Sequence, residues 1–320
     1  MNTQIKLAII AIAIVIPLAS LAITQTNSPS NNSTNENSKL QVVASATFLY
    51  EFSQNIGKEM IDVTLLVPMG ADPHDWEPTI RDTERLQKAD MIIVNGIGYE
   101  HWLNSLELSD IAGILVDTSN GISTLDSANH DEEKHDDHAK EDGHDDEDNH
   151  NHRVLDPHIW LNPVFAQLQV KNIANALSNS DPTNKNYYQS NAAIYNQKLN
   201  LLDTKIRTEL SGCKTDFITF HDAFSYFSEE YGLTQHTIIS STDSHDDVTP
   251  KTLEHIISLA RELNIKVIFA EENTSTKTSQ VIADEIGGKV LVLSPLEIVS
   301  DETYVEKMTQ NLESLKDALC

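Results

Sequence analysis

From Leu40 onward the chain alternates between short, β-branched apolar runs and longer amphipathic stretches. Leu40–Thr47, Ile61–Val67, Met91–Asn95 and Ile114–Asp117 read as strands, separated by helical patterns over Phe48–Glu59, Thr79–Ala89 and Glu100–Leu108. Several of these runs are apolar at consecutive positions, the pattern of parallel strands buried on both faces. The rhythm returns later, with strands predicted at Phe217–Phe220, Thr237–Ser240, Lys266–Ala270 and Lys289–Leu293. Helices are predicted at Ala223–Tyr231, Pro250–Leu263, Thr276–Ile286 and Asp301–Leu319. Each half is therefore a (βα)4-like unit, and the fold class is α/β with two parallel-sheet lobes. Between the halves, Thr183–Leu210 contains neither Gly nor Pro. As one helix it would extend about 42 Å, which makes it a rigid connector rather than a loose hinge.

Three segments fall outside this rhythm. Leu7–Ile23 is uncharged and mostly apolar, follows Lys6, and is interrupted by Pro17. It has the length of a signal-peptide core or a short anchor, with Ser20-Leu21-Ala22 as a small-x-small cleavage pattern. Cleavage and retention are both open, and no Cys follows the run to take a bacterial-type lipid. Residues 24–39 are rich in Ser, Thr and Asn and too polar to fold, so they read as a tether. Residues 129–152 hold no apolar side chain larger than Ala and read as a disordered acidic insertion. The expected division is 1–23 export segment, 24–39 tether, 40–180 first lobe, 181–212 linking helix and 213–320 second lobe.

Charge sharpens this picture. The 320 residues carry 49 acidic and 22 basic side chains, a formal net charge of −27. Nucleic-acid binding is excluded, because neutralising phosphates needs clustered Lys and Arg. The insertion from residue 130 to 152 alone holds 11 acids and 2 lysines, a net −9. Interleaved with them are His130, His135, His138, His144, His150 and His152. Acid alone would mean solubility; acid mixed with imidazole means a weak collector of imidazole-seeking metal ions. Cys213 and Cys320 are the two cysteines, and in an oxidising compartment they could form a bridge tying down the C-terminus.

In α/β lobes ligands sit beyond the carboxyl ends of the strands, so the residues there carry the chemistry. His74 follows the second strand, fixed between Pro73 and Pro78. His158 lies in Asp156-Pro157-His158-Ile159-Trp160-Leu161-Asn162-Pro163, which repeats the Asp72-Pro73-His74 construction. His221 ends the strand before Asp222, and Glu297 follows Leu293-Ser294-Pro295-Leu296 after the last strand. Three imidazoles and a carboxylate make a closed tetrahedral site, which favours holding a metal over using it catalytically. Asp222 and the strand-end pair Glu271 and Glu272, the latter in particular, are candidates to brace an imidazole from behind. His236 and His245 are assigned to an exposed strand edge and loop, and His101 and His255 to helix surfaces. No His-Glu-x-x-His, Gly-x-Ser-x-Gly or Walker pattern occurs. Asn95-Gly96-Ile97-Gly98 lacks a third glycine and reads as a turn.

These motifs, in their order, resemble the zinc/manganese solute-binding proteins of ABC importers (cluster A-I), most closely the ZnuA-type high-affinity zinc uptake members. Those that carry the resemblance include Gly70-Ala71-Asp72-Pro73-His74, Glu100-His101-Trp102-Leu103, the Asp156–Pro163 motif and Phe220-His221-Asp222-Ala223-Phe224. Leu293-Ser294-Pro295-Leu296-Glu297 completes them, and the resemblance spans Leu40 to Leu319. It implies two lobes joined by a long helix, metal in the cleft, and delivery to a membrane permease by a monomeric, non-enzymatic receptor. It carries ligand roles onto His74, His158 and His221, with Glu297 or a water as the fourth donor. His rather than Glu at position 221 argues for Zn2+ over manganese. The alternatives are a manganese receptor of the same family, a surface adhesin or metal buffer, and a zinc-dependent hydrolase.

Overall fold

A computed structural model describes residues 39–68, 71, 73–106, 111–125, 155–239, 248–272 and 276–320. The expected export segment 1–23, nearly all of the tether and the acidic insertion with its six histidines lie outside the described residues, as do Asp72 and His245. Strands β1 (Leu40–Ala44), β2 (Ile61–Leu65), β3 (Met91–Val94) and β4 (Ile114–Asp117) form a parallel sheet in the order β2-β1-β3-β4. Strands β5 (Asp216–Thr219), β6 (Thr234–Thr237), β7 (Val267–Ala270) and β8 (Lys289–Val292) repeat it as β6-β5-β7-β8. In each sheet the order reverses beside the first strand, between β1 and β3 or between β5 and β7. At such a switch point the connecting loops part and open a crevice at the carboxyl edge.

Helices α1 (Thr47–Gly57), α2 (Ile80–Lys88), α3 (Pro163–Ser180), α4 (Lys185–Leu210), α5 (Ser225–Tyr231), α6 (Pro250–Glu262), α7 (Thr276–Ile286) and α8 (Tyr304–Leu319) complete the described fold. The linking helix α4 has 26 residues, about 39 Å of rise. It buries Tyr188, Ala192, Tyr195, Leu199, Leu202 and Ile206, a stripe at helical spacing. Tyr195 packs edge-on against Phe52 of α1, with ring centroids 5.5 Å apart. One apolar core runs from Val42 and Phe52 of the first lobe through Tyr195 to Phe217 and Leu315 of the second. Each Leu or Ile buried there contributes about 1.5–3 kcal/mol, so the lobes share their stabilisation. Cys213, just beyond α4, is joined by a disulfide to Cys320 at the end of α8.

Three elements depart from the sequence pattern. Helix α3 was not foreseen, although Asn162 caps it by accepting from the Val164 N–H and Pro163 opens it. A short 3-10 turn, Pro182–Asn184, folds α4 back onto it. The expected strand Thr237–Ser240 lies three residues earlier as β6, because Gly232, at φ +68°, stops α5 abruptly. Polar Gln235 pairs with Phe217 on this edge strand, while apolar Ile238 and Ile239 pack into the core just beyond it. The expected helix Glu100–Leu108 is a 3-10 turn at His101–Ser105, of which residues 107 and 108 lie outside the described set. Among the described residues, no helix is long and apolar enough to cross a membrane.

Candidate metal centre

The carboxyl edges of both sheets face one another, and their loops bring four side chains together. His74 sits in a turn after β2, His158 in the turn before α3, His221 just past β5 and Glu297 past β8. Their donor atoms all lie within 4.8 Å of one another. His74 Nε2 is 2.9 Å from Glu297 Oε1, and His158 Nε2 is 3.4 Å from the same oxygen. His158 Nε2 and His221 Nε2 are 3.4 Å apart. Donors bound tetrahedrally at 2.0–2.2 Å stand about 3.3–3.6 Å from one another, and the two separations from His158 Nε2 fall in that range. The side chains of His158 and His221 are sealed, whereas those of His74 and Glu297 are 6% and 7% exposed. Solvent therefore reaches the cluster past His74 and Glu297.

Carboxylates behind two of the rings set their orientation. Asp156 Oδ1 accepts from the His158 backbone N–H at 2.9 Å and stands 2.7 Å from its Nδ1. Glu271 Oε1 accepts from the His221 backbone N–H at 3.3 Å and also contacts its Nδ1. A carboxylate acceptor keeps the proton on Nδ1, which leaves the Nε2 lone pair facing the cluster. Burial would lower the His158 pKa, but Asp156 and Glu297 outweigh it and push the ring up to about 10. Burial likewise opposes ionisation of Glu297, and His74 and His158 beside it hold the carboxyl well below its usual range. Because only a neutral imidazole can ligate, a cation bound by His158 exchanges for any proton on that ring.

The bracing residues differ in part from those expected. Glu272 is correctly placed at the end of β7, yet its carboxylate turns away to Lys307 Nζ at 2.9 Å. Its neighbour Glu271 points into the site, since successive side chains leave a strand on opposite sides. Asp222 accepts from the Ser225 hydroxyl at 2.7 Å and is placed against α5. Asp156 is a further brace; the signal for it in the sequence is that an Asp side chain readily accepts from the backbone N–H two residues on. His236 pairs with Asp216 on the sheet edge at 2.9 Å, and His101 and His255 are exposed. Trp160 is buried between the lobes, stacked on Phe48 at 4.4 Å and 5.1 Å from the His158 ring. Trp102 and Trp76 pack edge to face within the first lobe.

The family described as "Zinc-uptake complex component A periplasmic" matches residues 42–318. The chain belongs to this family. Its members are solute-binding transport receptors, not enzymes, which sets the hydrolase alternative aside. The chain is 41% identical over 290 residues to the high-affinity zinc uptake system protein ZnuA of Bacillus subtilis (strain 168), covering 88% of each. It superposes on the crystal structure of the metal-dependent lipoprotein YcdH from Bacillus subtilis with a TM-score of 0.73 at 37% identity. That match covers 88% of this chain and 99% of the other. The laminin-binding protein Lmb of Streptococcus agalactiae, described as bifunctional in adhesion and metal transport, gives a TM-score of 0.74 at 27% identity. There the match covers 88% and 99% of the two chains.

Proposed function

We propose that the protein is an extracytoplasmic receptor that captures Zn2+ with His74, His158, His221 and Glu297 and passes it to an ABC importer permease. The observation that carries this reading is the convergence of those four donors, all within 4.8 Å of one another. Three neutral imidazoles and one carboxylate suit zinc, whereas manganese takes oxygen-rich, higher-coordinate shells. Four protein donors leave no open position for an activated water, which suits transport rather than hydrolysis.

Capture proceeds by exchange of the His158 proton for the ion, so binding weakens as pH falls. The continuous interlobe core and α4 favour release by local loop movement over wide separation of the lobes. Residues 1–23 direct export as a cleaved signal or retained anchor, and 24–39 tether the folded receptor outside the membrane. The histidines from 130 to 152 gather ions weakly. The receptor acts as a monomer.

Titration of the protein with Zn2+ and with Mn2+, stoichiometry included, tests this proposal. The expected result is one tight Zn2+ per chain, far weaker Mn2+ binding, and loss of the tight site in His158→Ala and His221→Ala. Tight zinc binding that survives both substitutions would overturn it.

A further inference from the structure

Leu296, immediately before Glu297, is a non-glycine residue with a left-handed backbone, φ +61°. Its side chain is buried, so this strained conformation is imposed by its surroundings. The first lobe supplies the restraint. The Thr47 hydroxyl, on the first turn of α1, donates to the Leu296 carbonyl at 3.0 Å, and Trp160 Nε1 donates to the Pro295 carbonyl at 2.7 Å. On the turn's own lobe, the Ser294 hydroxyl accepts from the Leu296 N–H at 3.1 Å.

Both flanks of the turn are anchored. Asn311 of α8 makes two hydrogen bonds to the Ser294 backbone, at 2.7 and 2.8 Å. At the other end Glu51 of α1 accepts from the Tyr304 N–H at 2.6 Å, and the Tyr304 hydroxyl donates to the Trp160 carbonyl at 2.6 Å. Between these anchors, Leu296 and residues 298–303 border a cavity of about 240 Å³ that is also lined by Thr47, Phe48 and Leu65. A strained turn, a single side-chain hydroxyl on its central carbonyl and empty space beside it occur together at the one carboxylate of the site.

We infer that Thr47 is a positioning residue: its hydroxyl latches the strained Leu296 turn so that the second lobe's Glu297 is presented to the three histidines. When the latch opens, the turn relaxes toward the cavity and withdraws the carboxylate, converting a four-donor site into a three-histidine site that releases its ion. This rests on the zinc-receptor reading above. It adds that the occupancy of the site is set by a hydrogen bond between the lobes, made by a residue that touches no ligand atom.

The test uses Thr47→Val, which removes the hydroxyl at nearly constant shape, Thr47→Ser, which restores it, and Glu297→Ala alone and combined with Thr47→Val. Zn2+ affinity is measured by competition with a chromophoric chelator, and Co2+ loaded into each variant reports coordination number through its visible absorption. Loss of one hydrogen bond predicts that T47V binds Zn2+ about fivefold to tenfold more weakly. Its Co2+ spectrum shifts toward that of E297A, T47S behaves as wild type, and T47V adds nothing in the E297A background. An unchanged affinity and Co2+ spectrum in T47V, or an equal loss in the E297A background, would overturn the inference. If E297A itself binds Zn2+ like wild type, it is the assignment of Glu297 as a ligand that fails, and the latch with it.

Discussion

Replacing Asp156 by Asn keeps the shape of the turn that carries His158 but removes the charge behind its ring. In the wild type, Asp156 Oδ1 takes both the His158 backbone N–H at 2.9 Å and the ring Nδ1 at 2.7 Å, fully buried. An outer carboxylate of this kind typically contributes 10- to 100-fold to metal affinity, or about 1.4–2.7 kcal/mol. It also sets the proton balance. Because burial alone lowers the His158 pKa and Asp156 is foremost in raising it to about 10, the substitution moves the pKa down. At pH 8 the wild-type ring is protonated and must lose its proton to ligate, so zinc binding releases about one proton from His158. Below the pKa each pH unit then changes affinity about tenfold, upward with rising pH. Calorimetric titrations in buffers of different ionisation enthalpy count that proton directly. Asp156→Asn is expected to bind 10- to 100-fold more weakly once each affinity is corrected for the protons released, and to release fewer protons at pH 8. Wild-type affinity with unchanged proton release would refute the role of Asp156 and the linkage drawn from it.

Other outcomes follow from the same structure. Glu271→Gln, which weakens the acceptor behind His221, should lower Zn2+ affinity about 10-fold or more, whereas Glu272→Gln should leave it near wild type; the same competition titration separates the two. Deleting residues 130–152 should abolish weak additional Zn2+ binding while leaving one tight site, and calorimetric stoichiometry detects either result. The double change Cys213→Ser, Cys320→Ser opens a loop closed across 107 residues. It should cost about 2–4 kcal/mol of stability in denaturant unfolding without changing Zn2+ affinity, because the bridge lies at the ends of α4 and α8.

The parallel lobes were legible in the sequence because buried strands such as Met91-Ile92-Ile93-Val94 are apolar throughout. The edge strand β6 was misplaced for the opposite reason. Thr234-Gln235-His236-Thr237 is polar, and what makes it a strand is its ladder to β5, which sequence does not display. Helix α3 was hidden by its weak amphipathicity, since it is buried against α4 and the first sheet. Its Asn162-Pro163 start was the signal to weigh. Sequence placed His74, His221 and Glu297 beyond strands and His158 in a Pro-fixed loop, and the fold brings those loops together. The bracing carboxylates were harder to read. Choosing Glu271 over Glu272 depends on which way a strand end points, and Lys307, which captures Glu272, comes from 35 residues away. The left-handed Leu296 leaves no mark in a sequence with Leu at that position.

The most direct test of the central claim is anomalous diffraction at the zinc edge from crystals of the zinc-loaded protein. The account predicts one strong peak per chain, 2.0–2.2 Å from Nε2 of His74, His158 and His221 and from a Glu297 carboxylate oxygen, as tetrahedral zinc requires. A principal peak elsewhere, or one lacking any of the three histidines, would contradict it.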